Sequence, residues 1–189
     1  VRKKHLVKLF EDADALKYGD FTLASGQKSN YYINGRKLSL NSKVLAEVCR
    51  QMAFDIYNKC PSVDCIGGPE LGAVPIVGGL LAHWGIVLKL WGYNNDIKGF
   101  IVLKQAKEHG LQELVEGSFD PNVIHNCVVV EDVTTTGASA MKAVKAIEDL
   151  GHCVKIVATI VDREQGAKEL FENKGITFIS LLSASDFIK

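Results

Sequence analysis

The chain alternates short apolar runs with segments whose apolar residues recur at helical spacing. The clearest run covers residues 128–130, where three consecutive valines predict a strand buried on both faces, as in a parallel sheet. A polar segment follows, and then a helix is predicted over 140–150. The apolar positions of that helix share one face: Ala143, Val144, Ile147 and Leu150. This part of the chain is therefore predicted to form a strand–loop–helix unit.

The same alternation extends over the rest of the chain. Further strands are predicted over 65–68, 86–88, 100–103, 154–161 and 176–182. Further helices are predicted over 1–17, 42–58, 75–83 and 165–174. Two short strands, 21–23 and 31–34, predict a hairpin-like hood near the N-terminus. The polar segment 104–119 contains two glycines and is predicted to be a mobile surface loop.

Alternating strands and helices favour an α/β fold, a mainly parallel sheet flanked by helices. We expect a single domain over residues 1–189, with the small N-terminal hood contributed mainly by residues 1–40. In such sheets, ligands bind at the carboxyl ends of the strands. The loops that follow the strands are therefore where candidate functional residues are expected.

Composition excludes several classes of protein. Lysine and arginine total 22, as do aspartate and glutamate, so the basic excess of a typical nucleic-acid binder is lacking. Neither a signal-peptide pattern nor an apolar run of about 18 residues is seen, so we expect a soluble cytoplasmic protein without membrane contact. The five cysteines contain no CxxC pair and are predicted to be reduced thiols, with Cys127 and Cys153 in apolar, strand-like runs that favour burial.

The polar segment after the valines contains two carboxylates and then several hydroxyls. Glu131 and Asp132 come first, and Gly137 precedes the predicted helix. The hydroxyl-bearing residues are Thr134, Thr135, Thr136 and Ser139. A loop entering a helix presents backbone N–H groups to an anion, whereas adjacent carboxylates would repel a bare phosphate. A sugar phosphate suits both features, because carboxylates accept hydrogen bonds from ribose hydroxyls. A polar turn that caps a helix, or an ordinary Mg²⁺ site at the acid pair, is the alternative.

Residues 128–139 resemble the phosphoribosyl-diphosphate (PRPP) motif of the type I phosphoribosyltransferases. Four further segments resemble the orotate phosphoribosyltransferases in the expected order: 18–32, 67–75, 104–110 and 162–166. The resemblance implies the type I phosphoribosyltransferase fold. It also implies transfer of a phosphoribosyl group from PRPP to orotate with Mg²⁺, giving orotidine 5′-monophosphate and pyrophosphate. A homodimer with shared active sites is implied as well, because the loop over 104–110 reaches the neighbouring subunit in this family.

The resemblance also assigns roles to residues. Lys107 and His109 are the implied catalytic cations, and Thr135 and Arg163 the implied orotate contacts. The implied PRPP-binding residues are Lys104, Lys107, His109, Glu131, Asp132, Val133, Thr134, Thr135, Thr136, Gly137, Ala138 and Ser139. The implied pyrophosphate loop is Gly68, Pro69, Glu70, Leu71 and Gly72. No metal site made by protein side chains alone is implied, since PRPP oxygens and water would supply most Mg²⁺ ligands.

Alternatives remain for several of these assignments. Segment 104–110 also suits a solvated charged loop, the glycines suit a tight turn, and Arg163 suits a surface salt bridge to Asp162 or Glu164. The chain departs from the family where Leu103 stands in place of the usual arginine. Two rival functions follow: a phosphoribosyltransferase for another base, or a non-catalytic sensor of PRPP or a nucleotide.

Overall fold

A computed structural model of the chain describes residues 2–22, 28–88, 90, 92, 96–105, 114–120 and 122–187. Its helices are α1 (Arg2–Asp12), α2 (Gly35–Ser39), α3 (Ser42–Lys59), α4 (Ala73–His83), α5 (Ala138–Asp149) and α6 (Ala167–Glu172). Its strands are β1 (Leu16–Thr22), β2 (Lys28–Ile33), β3 (Cys65–Pro69), β4 (Lys98–Val102), β5 (Val115–Gly117), β6 (Asn126–Thr134), β7 (Cys153–Asp162) and β8 (Thr177–Ser183). A π-helical turn (Trp84–Leu88) and a 3₁₀ turn (Ala184–Phe187) complete these elements.

Six strands form one sheet in the order β5-β4-β3-β6-β7-β8. All neighbouring pairs are parallel except β4 and β5, which are antiparallel. The predicted α/β fold with a mainly parallel sheet is confirmed. The valines at 128–130 lie in β6, near the middle of the sheet, and are fully buried, as their apolar run predicts.

Helices cover both faces of the sheet because successive residues of a strand point to opposite sides. Val128 and Val130 pack into a cluster with α1, α3 and α4, whereas Val129 packs into a second cluster with α5 and α6. Helix α5 buries Ala143, Val144 and Ile147, three of the four apolar positions that its spacing places on one face. Leu150, just past that helix, is 53% exposed.

The hood contains an antiparallel pair of strands, as predicted. Strands β1 and β2 pair from Leu16 opposite Ile33 to Thr22 opposite Lys28, with a register shift between Tyr18 and Phe21. The helix predicted over 1–17 is too long, because α1 ends at Asp12. Asp14 has a left-handed backbone (φ +53°), which a helix does not accommodate, and Leu16 already belongs to β1.

Three other predictions need correction. The strand predicted over 86–88 is wrong, since Trp84–Leu88 continues α4 as a π-helical turn with Ile86 65% exposed. A short apolar run does not distinguish strand from helix by itself. The loop predicted over 104–119 contains β5, which pairs with β4. Of the two cysteines, Cys127 is buried but Cys153, the first residue of β7, is exposed. Within the described ranges, no helix has the length and apolarity needed to cross a bilayer.

Candidate active site

Four chain segments meet at one edge of the sheet because they leave neighbouring parallel strands. They follow β4, β3, β6 and β7, which are adjacent in the sheet. These are residues 104–105, which begin the predicted catalytic loop, the predicted pyrophosphate loop (68–72), the predicted PRPP segment (131–139) and the segment that begins at Arg163. The carboxyl ends of parallel strands form the usual ligand edge of an α/β sheet. The sheet order therefore brings together segments that are up to about a hundred residues apart in sequence.

The PRPP segment turns sharply from β6 into α5. Strand β6 runs through both acids and ends at Thr134, and Gly137 precedes the helix with φ +82°. Glycine is favoured there by its backbone angle and by space, since an added Cβ would lie 2.9 Å from a ring carbon of Phe171. A small cavity of about 70 Å³ lies in this turn. Its lining is Glu131, Val133, Thr134, Thr135, Thr136, Gly137, Ala138, Ser139 and Ala140.

The hydroxyls of this segment differ in exposure. Thr135, Thr136 and Ser139 are exposed, whereas Thr134 is 3% exposed. The Oγ1 of Thr134 is buried and has no hydrogen-bond partner among the residues that the structure describes. A buried hydroxyl without a partner carries a free-energy cost that a bound acceptor would remove. The turn is thus a small concave site that offers hydroxyl and backbone donors.

The two carboxylates occupy different environments. Glu131 is 7% exposed, and burial, followed by the nearby charge of Asp132, raises the pKa of Glu131 to about 8. Asp132 is half-buried, and its Oδ1 accepts a hydrogen bond of 2.7 Å from the N–H of Val133. Burial therefore favours the protonated form of Glu131, while Oδ1 of Asp132 already accepts a hydrogen bond.

Two glycines from distant parts of the chain lie against the carboxylate of Asp132. A Cβ added at Gly72 would lie 2.7 Å from its Oδ1, and one added at Gly35 would overlap its Oδ2. Gly72 precedes α4, and Gly35 begins α2, a helix capped by Asn34. Sequence analysis missed α2 and Gly35. The Asn34–Gly35 pair directly after a strand was the available signal, because asparagine caps helices.

The pyrophosphate loop is hydrogen-bonded to the start of the catalytic loop. The Glu70 N–H donates to the Val102 carbonyl oxygen at 2.9 Å, and the Lys104 N–H donates to Oε1 of Glu70 at 2.6 Å. The peptide between Glu70 and Leu71 is cis. Gly68 is the buried penultimate residue of β3, where a Cβ would overlap the Val130 carbonyl oxygen. Close strand packing, rather than a tight turn, therefore requires that glycine.

Arg163 faces a cavity of about 740 Å³ between the hood and the sheet edge. The lining residues are Asp20, Phe21, Lys28, Ser29, Asn30, Tyr31, Arg163 and Gln165. The Cζ of Arg163 lies 5.3 Å from the centre of the Tyr31 ring, and its backbone N–H donates to the Thr134 carbonyl oxygen at 2.8 Å. This last bond joins the cavity to the PRPP segment.

The surface salt bridge considered for Arg163 is not formed within the described part of the chain. The carboxylate of Glu164 instead accepts hydrogen bonds from the N–H and hydroxyl of Ser185. Asp162 accepts from the N–H of Glu164, and burial raises the pKa of Asp162. The Nε of Arg163 is buried without a hydrogen-bond partner among the described residues. The guanidinium is therefore available to an anionic ligand.

Comparison with known proteins decides the family. No family model matches the chain. It is 37% identical over 188 residues to an orotate phosphoribosyltransferase of Methanosarcina acetivorans, covering 100% of this chain and 92% of the relative. An orotate phosphoribosyltransferase of Rhodopseudomonas palustris (strain BisB5) is 42% identical over 175 residues, covering 90% and 88%. The chain belongs to the orotate phosphoribosyltransferase family.

Solved structures of orotate phosphoribosyltransferases show the same fold. The Mycobacterium tuberculosis H37Rv orotate phosphoribosyltransferase, crystallised in complex with PRPP, superposes with a TM-score of 0.75 at 30% identity. The match covers 98% of each chain. The predicted type I phosphoribosyltransferase fold is thereby confirmed, with its parallel sheet, flanking helices and small two-stranded hood sheet.

Some residues that the orotate phosphoribosyltransferase resemblance singles out lie outside the described residues. These are the predicted catalytic cations, Lys107 and His109. Lys104 is described and exposed, and Leu103 beside it is half-buried. Among the described residues, no group of three or more His, Cys, Asp or Glu side chains is arranged to hold a metal ion.

Proposed function

We propose that this protein transfers the 5-phosphoribosyl group of PRPP to orotate, giving orotidine 5′-monophosphate and pyrophosphate. The observation that carries the proposal is the position of Arg163. Its guanidinium, whose Nε has no hydrogen-bond partner among the described residues, faces a cavity large enough for a base, and its backbone N–H is hydrogen-bonded to Thr134 of the PRPP segment. A base held by this arginine would lie beside a ribose phosphate held by that segment.

Orotate differs from uracil by a carboxylate, which a guanidinium can bind with two parallel hydrogen bonds. In the proposed complex, Arg163 holds this carboxylate and Thr135 lies near the pyrimidine ring. A ring nitrogen of orotate then forms a bond to C1′ of the ribose while the bond from C1′ to the pyrophosphate oxygen breaks. The electron pair of the broken bond leaves with pyrophosphate, and the proton of the ring nitrogen passes to solvent.

The PRPP segment is proposed to hold the ribose and its 5′-phosphate. Asp132 accepts a hydrogen bond from one ribose hydroxyl. Glu131, next to it in the chain, contacts the ribose hydroxyls as well. The hydroxyls and backbone N–H groups of the turn hold the phosphate, aided by the dipole of α5. The residues in this role are Val133, Thr134, Thr135, Thr136, Gly137, Ala138 and Ser139.

Pyrophosphate accumulates negative charge as it leaves, so cations directed at it lower the barrier. We assign Lys104, Lys107 and His109 to this role, and the pyrophosphate loop (68–72) to holding the group. Mg²⁺ would be held mainly by PRPP oxygens and water, because it gives up its water ligands reluctantly. When bound, Mg²⁺ supplies positive charge to the departing pyrophosphate.

The remaining proposals concern the state of the protein. We infer one catalytic domain over residues 1–189, acting in the cytoplasm as a homodimer whose subunits share active sites. Support comes from the family, in which the catalytic loop reaches the neighbouring subunit. Sedimentation at micromolar concentration should give twice the monomer mass of 20.7 kDa.

The test is an assay of PRPP consumption that depends on orotate and Mg²⁺. The decrease in orotate absorbance monitors the reaction. The wild-type protein should convert orotate, and Lys107→Ala should abolish most of this turnover. Arg163→Lys should raise the KM for orotate more than the KM for PRPP. Lys155→Ala is the matched control, because Lys155 is exposed on β7 and lines none of the described cavities. Binding of PRPP without turnover of orotate would contradict the proposal.

Two results would favour the rival functions. Turnover with uracil or a purine but not with orotate would indicate a phosphoribosyltransferase for another base. Binding of PRPP without turnover of any base would indicate a sensor. The side chain of Arg163 favours orotate over both, since a base without a carboxylate leaves its buried Nε without an acceptor.

A further inference from the structure

A cavity of about 600 Å³ lies between strand β5 and the end of helix α5, and the proposed transfer does not use it. Its volume falls within the range of about 300–1,000 Å³ typical of ligand pockets. It shares no lining residue with the cavity at Arg163 or with the one in the PRPP segment. The side chains that shape it are Leu114, Val115, Phe119, Asp149, Leu150 and His152. The chain therefore has room for a ligand besides PRPP and orotate.

Large apolar side chains at this cavity remain open to water. Leu114, just before β5, is 41% exposed, and Leu150, just past α5, is 53% exposed. Val115 and Ala146 line the same cavity and are buried. Covering exposed apolar surface is favourable, and an aromatic ring covers much of it with few rotatable bonds to immobilise. The apolar part of the lining therefore suits a ligand with flat, apolar faces.

The imidazole of His152 is held in one orientation at the cavity. Its ring stacks on Phe119, with the ring centres 4.5 Å apart, and Phe119 stacks in turn on Phe100 at 5.5 Å. The Nδ1 of His152 accepts a hydrogen bond of 3.4 Å from the backbone N–H of His125. A neutral imidazole carries one proton, which this bond assigns to Nε2, and burial lowers the pKa of His152 and so favours the neutral form. His152 therefore supplies an oriented N–H donor.

Asp149 supplies an acceptor to the same cavity. It ends α5, and Gly151, with φ +85°, turns the chain so that both Asp149 and His152 line the cavity. Within the described part of the chain Asp149 forms no ion pair, whereas its neighbour Glu148 pairs with Lys174 at 3.5 Å. An ionised carboxylate only accepts hydrogen bonds. The polar part of the lining therefore suits a ligand edge that carries one acceptor and one donor.

We propose that this cavity binds a heteroaromatic base with an amino group beside a ring nitrogen, as the free base or its nucleoside. The ring nitrogen accepts the Nε2 proton of His152, the amino group donates to Asp149, and the ring faces pack against Leu114 and Leu150. A carboxylate repels an anionic ligand, so a base or nucleoside fits this cavity better than a nucleotide does. The inference does not rest on the proposed function, because binding needs neither PRPP nor turnover.

The cavity wall is hydrogen-bonded to the strand that enters the predicted catalytic loop. The Leu103 N–H donates to the Leu114 carbonyl oxygen at 2.8 Å, and Val115 pairs with Val102. A ligand packed against Leu114 stabilises this pairing, so it slows exchange of the Leu103 N–H with solvent. Hydrogen exchange at Leu103 therefore reports occupancy of this cavity and not of the candidate active site.

The experiment compares adenosine with purine riboside, the same nucleoside without the amino group, by titration calorimetry. Wild type should bind adenosine about 3- to 10-fold more tightly, the effect of one hydrogen bond. Asp149→Ala should remove this preference, because the partner of the amino group is gone. His152→Phe keeps a ring against Phe119 but loses the donor, so it should weaken both nucleosides by a similar factor. The matched control is Glu172→Ala, which removes an exposed acid on α6 and should change neither affinity.

Hydrogen exchange locates the bound nucleoside. With adenosine, exchange of the Leu103 N–H should slow in wild type and stay unchanged in Asp149→Ala at the same nucleoside concentration. Slower exchange over 131–139 instead would place adenosine in the PRPP segment and overturn the proposal. So would the absence of adenosine binding by wild type, equal affinity of wild type for both nucleosides, or a preference for adenosine that survives Asp149→Ala.

Discussion

The backbone N–H of Lys104 donates a 2.6 Å hydrogen bond to the carboxylate of Glu70. These residues lie 34 positions apart, and the bond ties the pyrophosphate loop to the first residue of the catalytic loop. A second bond, from the Glu70 N–H to Val102, holds the same two segments together at the end of β4. We therefore expect Glu70 to act as a positioning residue through the backbone of Lys104.

Removal of the Glu70 carboxylate should impair catalysis without unfolding the protein. Glu70→Ala is expected to lower kcat/KM for PRPP about 10-fold, because a hydrogen bond to a charged group contributes about 1.5 kcal/mol or more. Glu70→Gln keeps an acceptor oxygen and should stay within about 3-fold. Steady-state kinetics would measure the change in kcat/KM. The control is Glu172→Ala, which removes an exposed acid on α6. Equal effects of Gln and Ala would contradict the positioning role.

A methyl group at Gly72 should disturb the carboxylate of Asp132. Gly72 has φ −60° and ψ −40°, which alanine adopts freely, so the conflict is with the Asp132 carboxylate, whose Oδ1, Cγ and Oδ2 would lie 2.7, 2.8 and 2.9 Å from the new Cβ. We expect Gly72→Ala to raise the KM for PRPP about 10-fold, because one hydrogen bond between the ribose and a charged carboxylate is lost. Gly78→Ala in α4 is the matched control. A Cβ there meets nothing within 4 Å, so it should stabilise the protein by about 0.5–1 kcal/mol without changing KM. An unchanged KM for PRPP in Gly72→Ala would argue against Asp132 as the ribose acceptor.

Without ligands, the contribution of Glu131 to stability should fall as pH rises between about 5 and 8. The pKa of Glu131 is about 8 when folded and close to 4.5 when unfolded, so only the folded state keeps the proton across this window. Raising the pH then favours unfolding, by at most about 1.4 kcal/mol per pH unit for one proton. Burial raises the pKa of Asp162 as well, which adds a slope of the same sign at lower pH.

Glu131→Gln cannot titrate and should flatten that dependence, making the variant more stable than wild type at pH 8. Urea unfolding at several pH values between 5 and 8.5, without PRPP or Mg²⁺, would measure the effect. Asp162→Asn separates the contribution of the second acid. The same pH dependence in wild type and Glu131→Gln would show that Glu131 is ionised in the folded protein, since His83 and His152, whose pKa values burial lowers, contribute equally to both proteins.

Tyr31 should help Arg163 to bind orotate. The guanidinium carbon lies 5.3 Å from the centre of the Tyr31 ring, a cation–π arrangement worth about 0.5–2 kcal/mol. Tyr31→Leu should raise the KM for orotate about 2- to 10-fold and leave that for PRPP nearly unchanged, whereas Tyr31→Phe keeps the ring. Kinetics with each substrate varied in turn would test this. Tyr31 also packs on Phe187, so thermal melting of both variants is the control for folding, and equal KM changes for both substrates would count against the specific role.

Local pattern was enough to predict much of this protein. The valines at 128–130 and the helical spacing after them predicted β6 and α5, because burial repeats every second residue in a strand and every third or fourth in a helix. The acid pair, the hydroxyls and Gly137 follow one another in the same short stretch of sequence. That stretch resembles the family to which comparison shows that the chain belongs. Pattern failed at 86–88, where a short apolar run belongs to a helical turn.

Contacts between distant residues were decided only by the tertiary structure. The order of the strands brings Gly35 and Gly72 against Asp132, and Glu70 against Lys104. It also leaves Arg163 without an ion pair to either neighbouring acid among the described residues. Periodicity describes which face of an element is buried, but not which other element buries it. The sequence by itself therefore determined the elements and the chemistry of each segment. The packing of the sheet determined which of those groups face one another, since that depends on pairings between residues up to about a hundred positions apart.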